Sequence, residues 1–174
     1  VVANSSSGLE GIYRSTNSGA SFSMVFSGST KALLNWSTDG SGTNNGQGWY
    51  DLSLAVSPSN ANTVVVGGIS SWKSTNGGSS WSIMNHWYGG GGAPAVHADK
   101  HQLKYRPNGD LFECNDGGVY ISTNGGISWS DKTNGMVISQ MYKLGVAQTV
   151  NNETITGLQD NGTIFYGGDN TPTF

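Results

Sequence analysis

Short stretches in which apolar and polar residues alternate recur along the chain, each closed by Gly, Asn, Ser or Pro. Runs of period two mark half-buried β-strands, and the punctuating residues mark tight turns. GIYR (11–14), SSWK (70–73) and GVYI (118–121) are strand-like, and each leads directly into a copy of one octapeptide. The copies are STNSGASF at 15–22, STNGGSSW at 74–81 and STNGGISW at 122–129. The octapeptide predicts a hairpin turn. Asn17, Asn76 and Asn124 can fold their side chains onto the turn backbone, and the glycines supply positive φ. Phe22, Trp81 and Trp129 are expected to pack back over the hairpin as apolar plugs.

A longer unit surrounds the octapeptide. YDLSLAVSPSNANTVVVGG (50–68) and DKHQLKYRPNGDLFECND (99–116) share one order: an alternating strand, a turn carrying Pro and Asn, then a second strand. QMYKLGVAQTVNNETITGLQDNGTIFY (140–166) is a further copy that runs past its second turn. Boxes two and three are 48 residues apart; boxes one and two are 59 apart, the excess matching the insertion STDGSGTNNGQG (37–48). Four-stranded units at this period are the sequence form of β-propeller blades. The predicted fold is therefore all-β, a β-propeller segment of four-stranded antiparallel blades with the octapeptides as C–D turns, two blades whole and two partial. The divisions are 1–36, the end of a first blade; 37–48, the inserted loop; 49–87, the second blade; 88–96, a Gly-rich loop; 97–135, the third blade; and 136–174, an incomplete fourth with strands A to C. A blade buries its faces only against neighbours, so a longer propeller is expected, its remaining blades supplied by the same protein or by a partner chain. The chain starts VVANSSS, without Met, and upstream processing or excision is expected.

Composition narrows the function. Only 11% of the 174 residues are charged, Gly numbers 27, and the eight Lys and Arg are scattered under a net charge of −3. Phosphate binding needs clustered cations, so no nucleic-acid partner is expected. No apolar run has the length of a membrane span, and membrane insertion is not expected. The lone Cys114 reads as a buried, inert thiol. Sequons at Asn4, Asn35, Asn152 and Asn161 are what a chain rich in Asn, Ser and Thr yields by chance. GGGG (89–92) lacks the features of a phosphate cradle and reads as a flexible loop.

The octapeptides resemble the Asp-box, S-x-[DN]-x-G-x-x-[WF], of BNR-repeat propellers, a group that includes bacterial sialidases, xyloglucanase-type glycoside hydrolases and sortilin-type receptor domains. The matching positions are Ser15, Asn17, Gly19 and Phe22; Ser74, Asn76, Gly78 and Trp81; and Ser122, Asn124, Gly126 and Trp129. All three copies carry Asn where Asp is commonest. GQGWYDLSLAV (46–56), VHADKHQL (96–103), CNDGGVYISTNGG (114–126), ISQMYKLGV (138–146) and GLQDNGT (157–163) together look like large secreted bacterial proteins labelled glycosyl hydrolase or sortilin-like, many with a sorting domain for type IX secretion. The resemblance covers the chain from about residue 8. It implies a secreted or cell-surface protein. In the family the box is structural, so Asn17, Asn76 and Asn124 receive no catalytic role.

HADKH (97–101) departs from the repeat. With the A strands aligned on Val56, Tyr105 and Val146, Asp99 falls where the others have Tyr50 and Gln140, and His101 where they have Leu52 and Tyr142. Alternation puts His97, Asp99, His101, Leu103 and Tyr105 on one face of a strand. Polar, titratable groups thus replace apolar ones in one blade, and such local conflict is where function is expected. Blade topology adds Asp116 of NDGG and Asp160 of QDNG from B–C turns to the same rim. It brings there the loops 37–49 and 85–96, with Trp49, Trp87 and Tyr88. Three readings remain open. His97, Asp99 and His101 can form a buried network that pegs blades together. The same three can ligate Zn²⁺, or Ca²⁺ where carboxylates and carbonyls dominate, with Asp116 or Asp160; no cofactor is required. Asp99, Asp116 and Asp160 can supply the carboxylate pair of a glycosidase. The ligand-binding candidates at this mouth are His97, His101, Gln140 and Gln159, with Trp49, Tyr50, Trp87 and Tyr88 as aromatic surfaces.

The expected function is a binding or structural module with a glycan or protein ligand across that mouth. One alternative is a xyloglucanase-like glycoside hydrolase whose site is completed by other blades. Another is a sortilin-like domain whose strand edges pair with extended peptides. An enzyme requires two carboxylates about 5–10 Å apart in an open cleft. A structural role requires His97, Asp99 and His101 buried and mutually bonded.

Overall fold

The structure, a computed structural model, describes residues 1–136, 140–150, 153–159, 162–167 and 172–173. It divides into two compact units, Val1–Thr133 and Asn134–Phe174. Both are built of antiparallel sheets in which each strand pairs with the next in sequence. Among the described residues no helix is long and apolar enough to cross a membrane.

The first unit holds three sheets. Sheet one is β1 (Val2–Ala3), β2 (Leu9–Arg14) and β3 (Ser23–Ser27). Sheet two is β4 (Ser53–Val56), β5 (Val64–Gly67), β6 (Ser71–Ser74) and β7 (Ser82–Asn85). Sheet three is β8 (Lys100–Tyr105), β9 (Leu111–Asn115), β10 (Gly118–Ser122) and β11 (Ser130–Asp131). The second unit is one sheet of β12 (Met141–Val146), β13 (Thr154–Leu158), β14 (Thr163–Tyr166) and β15 (Pro172–Thr173). The sequence predicts three strands for this last copy; β15 adds a two-residue fourth, paired with Phe165 and Tyr166.

The packing follows from strand period. Every residue of β5, VVVG, is buried. Val64 and Val66 join Leu9, Ile12, Phe26, Trp72 and Trp81 in one core between sheets one and two. Val65, on the opposite face, joins Ala55, Met84, Leu103 and Leu111 in a second core between sheets two and three. A strand covered on both faces loses the polar alternation of a half-exposed one. Each fully buried Val or Leu contributes roughly 1.5–3 kcal/mol. Sheets stacked face to face in chain order, each closing an antiparallel meander, are the architecture of a propeller segment.

The three octapeptides fold alike. Ser74 Oγ donates to Asn76 Oδ1 (3.0 Å) and accepts from Gly78 N (2.9 Å), while Asn76 Oδ1 accepts from Ser80 N (2.9 Å). The same bonds recur at Ser15/Asn17 and Ser122/Asn124. In each copy the Asn amide nitrogen also donates to a serine hydroxyl four residues on, at 2.8–2.9 Å. That bond uses the amide's donor, which a carboxylate lacks.

The plugs differ. Trp81 is buried, edge-on to Phe26 of sheet one, with Nε1 donating to Gly78 O. Trp129 packs on the second core, and Phe22 is exposed. Each plug thus inserts against the sheet preceding its own, and sheet one has none before it among the described residues. The turn glycines agree: a Cβ on Gly78 would lie 3.2 Å from Val25 and one on Gly126 2.5 Å from Met84, whereas at Gly19 it would meet nothing. We expect Ser74→Ala, which strands Gly78 N in a buried setting, to cost about 2 kcal/mol in urea unfolding, and Ser15→Ala in the exposed copy under about 1 kcal/mol. Equal losses would show that the box is stabilised locally and not by its seat on the neighbouring sheet.

Candidate functional site

The long connection into sheet two is held by side-chain amides in place of strand pairing. Asn44 bonds both backbone groups of Leu9, accepting from its N at 3.0 Å and donating to its O at 2.6 Å. Leu33 and Leu34 anchor the same connection in the first core. It ends in a tight turn, where Tyr50 N (2.7 Å) and Asp51 N (3.0 Å) both donate to Gln47 O. Strand β4 therefore starts at Ser53 and not at Tyr50. That turn carries Gln47, Trp49, Tyr50 and Asp51 toward the 97–101 segment.

The predicted alternation of 97–105 does not hold. Asp99 takes a positive φ of 65°, the strand begins at Lys100, and the register shifts between Lys100 and Gln102. A bulge of this kind turns one side chain over relative to the pleat. Lys100 is the residue driven inward: it is fully buried, while His97 and Asp99 are half-buried and His101 is exposed. The buried peg expected of His97, Asp99 and His101 is formed instead by Lys100 and Glu113, 3.0 Å apart and both without exposure. Lys100 Nζ also donates to the carbonyls of Val96 and His97. Glu113 accepts from Ser71 Oγ (2.7 Å), Asn85 Nδ2 (2.8 Å) and Asn115 Nδ2 (3.2 Å), joining sheet two to sheet three. Burial lowers the Lys100 pKa, and Glu113 opposes that shift.

The three HADKH side chains go separate ways. His97 Nδ1 lies 3.3 Å from Ala98 O, and its ring lies over Gly117, where a Cβ would come within 2.4 Å. Asp99 Oδ1 accepts from Gln47 Nε2 at 2.9 Å. His101 Nε2 donates to Asp116 Oδ1 at 2.6 Å, and Tyr50 OH donates to Asp116 Oδ2 at 2.9 Å. Tyr50 stands edge-on to His101 at 4.8 Å and beside Trp49 at 5.4 Å. So His101, Asp116, Tyr50 and Trp49 meet, with the Asp116 carboxylate engaged on both oxygens, whereas the topology names His97, Asp116 and Asp160 for one rim. Among the described residues no three His, Cys, Asp or Glu gather as a metal-binding group. The His97–Asp99–His101 ligand set is not assembled, because the bulge directs its members apart.

Asp51 was not anticipated. It is fully buried, and neither carboxylate oxygen meets a hydrogen-bond donor. Burial first, then the adjacent Asp99 carboxylate, pushes its pKa up to about 8. The two carboxyls lie within hydrogen-bonding reach of each other. The available signal was an acidic residue inside the apolar run WYDL, in a chain with few charges.

An open cleft lies against Gln47. It has a volume of about 160 Å³ and is lined by Trp36, Gln47, Ile69, Trp87 and Ala98. This is below the roughly 300–1,000 Å³ of a self-contained ligand pocket. Buried His86 fixes its wall. His86 Nε2 lies 3.1 Å from Trp36 O and Nδ1 3.5 Å from Tyr88 N, partners that assign the proton to Nε2. Tyr88 stands edge-on to both His86 (4.2 Å) and Trp87 (4.7 Å). Trp36, Trp49, Trp87 and Tyr88 all remain half or more exposed. The GGGG segment forms a short 3-10 turn, Gly90–Gly92, against Thr38 and Tyr88. Cys114 is half-buried, and burial and then Glu113 raise its pKa, which keeps it a thiol.

Gln140 and Gln159 belong to the second unit. Gln159 N donates to Gln140 O at 3.0 Å, and Tyr142 OH donates to Gln159 Oε1. Tyr142 and Gln159 repeat the placement of His101 and Asp116: an A-strand residue joined to the B–C turn. Asp160 lies outside the described residues, as do the sequons' Asn152 and Asn161.

No family model matches the chain, and no curated protein matches it. Among solved structures it is similar to the GH74 enzyme of Niastella koreensis, at 19% identity and a TM-score of 0.48, over 94% of this chain and 25% of that one. It is similar to an ancestral GH74 enzyme at 20% identity and a TM-score of 0.44, over 96% of this chain and 22% of that one. It is also similar to YCF48, solved bound to a D1 peptide, at 10% identity and a TM-score of 0.39, over 93% of this chain and 46% of that one. The chain thus spans a quarter or less of the two GH74 enzymes and less than half of YCF48.

Proposed function

We propose that the chain is part of an Asp-box propeller of a secreted or cell-surface bacterial protein, and that this segment binds a glycan along its exposed aromatic surfaces. The observation that carries this reading is the cleft itself: Trp36 and Trp87, half exposed, flank the polar amide of Gln47. Flat aromatic faces beside one or two fixed polar groups suit a ring that is apolar on its faces and hydroxylated at its rim. Trp49 and Tyr88 extend the aromatic surface on the adjoining turns. A glycosidase role for this segment has less support, because Asp51 and Asp99 touch where hydrolysis needs a gap of about 5–10 Å. Asp116 is likewise occupied, by Tyr50 and His101. A further sheet of the same repeat is the natural cover for Phe22 and Met24, which are exposed at the positions where later copies seat on the sheet before them.

Xyloglucan-derived and other β-glucan oligosaccharides, titrated by calorimetry, test the reading. Binding weakened about tenfold (roughly 1.4 kcal/mol) by Trp87→Ala or Trp36→Ala is the expected result. Both variants binding as the parent does, or reducing sugar released by the chain, would remove it.

A further inference from the structure

Asp51 poses an accounting problem that the glycan reading does not address. A carboxylate without exposure normally accepts several hydrogen bonds, yet both Asp51 oxygens lack a donor. The group it faces is the Asp99 carboxylate, which accepts one bond, from Gln47. Next to this pair, Lys100 and Glu113 neutralise one another with every donor and acceptor used. The cluster therefore holds three carboxylates against one ammonium, a formal charge of −2, with Asp51, Lys100 and Glu113 all fully buried. Buried uncompensated charge of this size is costly. One proton would leave the cluster at −1; one divalent cation brings it to zero. Asp99 is also held at a positive φ, strain of the kind kept where a side chain must be aimed.

We propose that Asp51 and Asp99 are ligands of a single hard divalent cation, calcium by donor chemistry, seated behind Gln47. The Gln47 amide nitrogen stands beside both carboxylates, so water completes the six to eight oxygens calcium takes. Zinc does not suit the place, since neither His97 nor His101 turns toward it. The cation would fix the 47–51 turn to the 97–101 segment and so hold Gln47 in the cleft. The site stands independently of the glycan reading.

The test is thermal unfolding and calorimetric titration of the chain with calcium chloride against EDTA at pH 7, with no carbohydrate present. One calcium per chain and a Tm raised by on the order of 5–10 °C at a hundredfold excess over Kd are expected. Asp51→Asn, isosteric and neutral, should fold with a Tm in EDTA at or above that of the parent and lose the calcium response; Asp99→Asn should lose it too. A folded parent chain without any calcium response overturns the proposal and assigns a shared proton to the pair. A response of unchanged size in both variants overturns it as well.

Discussion

With divalent cations chelated, the stability of the chain is expected to fall as the pH rises from about 4 toward 8, and Asp51→Asn to flatten that dependence. In the unfolded chain the Asp51 carboxyl titrates near the ordinary 3.8, whereas in the fold it is pushed up to about 8. Between those values the folded state holds a proton that the unfolded state has released. Stability is therefore full below about pH 4 and is lost progressively as the pH climbs through the folded pKa. One pKa unit corresponds to about 1.4 kcal/mol, which bounds the slope per pH unit from this group. Burial sets the direction. Asp99 adds a like charge, and the Gln47 side chain relieves it only in part. Urea unfolding of the parent and of Asp51→Asn at pH 4.5, 6 and 8 checks this. Parallel curves would mean that the Asp51 carboxyl is solvated or satisfied in the folded chain.

The second large effect is at the peg between sheets two and three. Lys100→Met leaves Glu113 buried with its counter-charge gone, and a loss of about 3–5 kcal/mol is expected. Lys100→Met combined with Glu113→Gln removes both charges, so the pair should lose much less than the sum of the two single changes. The coupling is expected because the ammonium uses its three donors on Glu113, Val96 and His97, and the carboxylate accepts from Ser71, Asn85 and Asn115 as well. Additivity within about 0.5 kcal/mol in urea unfolding would show that the two residues are energetically separate.

The strands and turns were legible because they rest on local rules. Period-two alternation gave β2, β6 and β10, and the Ser-x-Asn-x-Gly turns closed as their side-chain chemistry requires. The approach of the 97–101 segment to the turn carrying Asp116 was also legible, since it needs only the order of strands and turns. The face of each side chain near residue 100 was not. A bulge moves one residue across the pleat, and it is set by what surrounds it: here Ser71 and Asn85 of the neighbouring sheet, with Asn115 of the same sheet, form a polar socket for Glu113, which Lys100 turns inward to meet. HADKH therefore drew attention to its imidazoles while the buried charge was the lysine among them. Asp51 was hidden for the same reason, because the turn closed by Gln47 O removes Tyr50–Leu52 from the strand that alternation would extend.

The backward seating of Trp81 and Trp129 has a consequence for how such proteins change length. Each octapeptide-bearing copy carries its own key at the closing aromatic, and sheets one and two carry equivalent locks that accept Trp81 and Trp129. A cassette cut between two equivalent points can thus be excised or duplicated with its cut ends still mated. Growth and shrinkage by entire modules, with half-module losses rejected, is the evolutionary pattern this one-directional join favours.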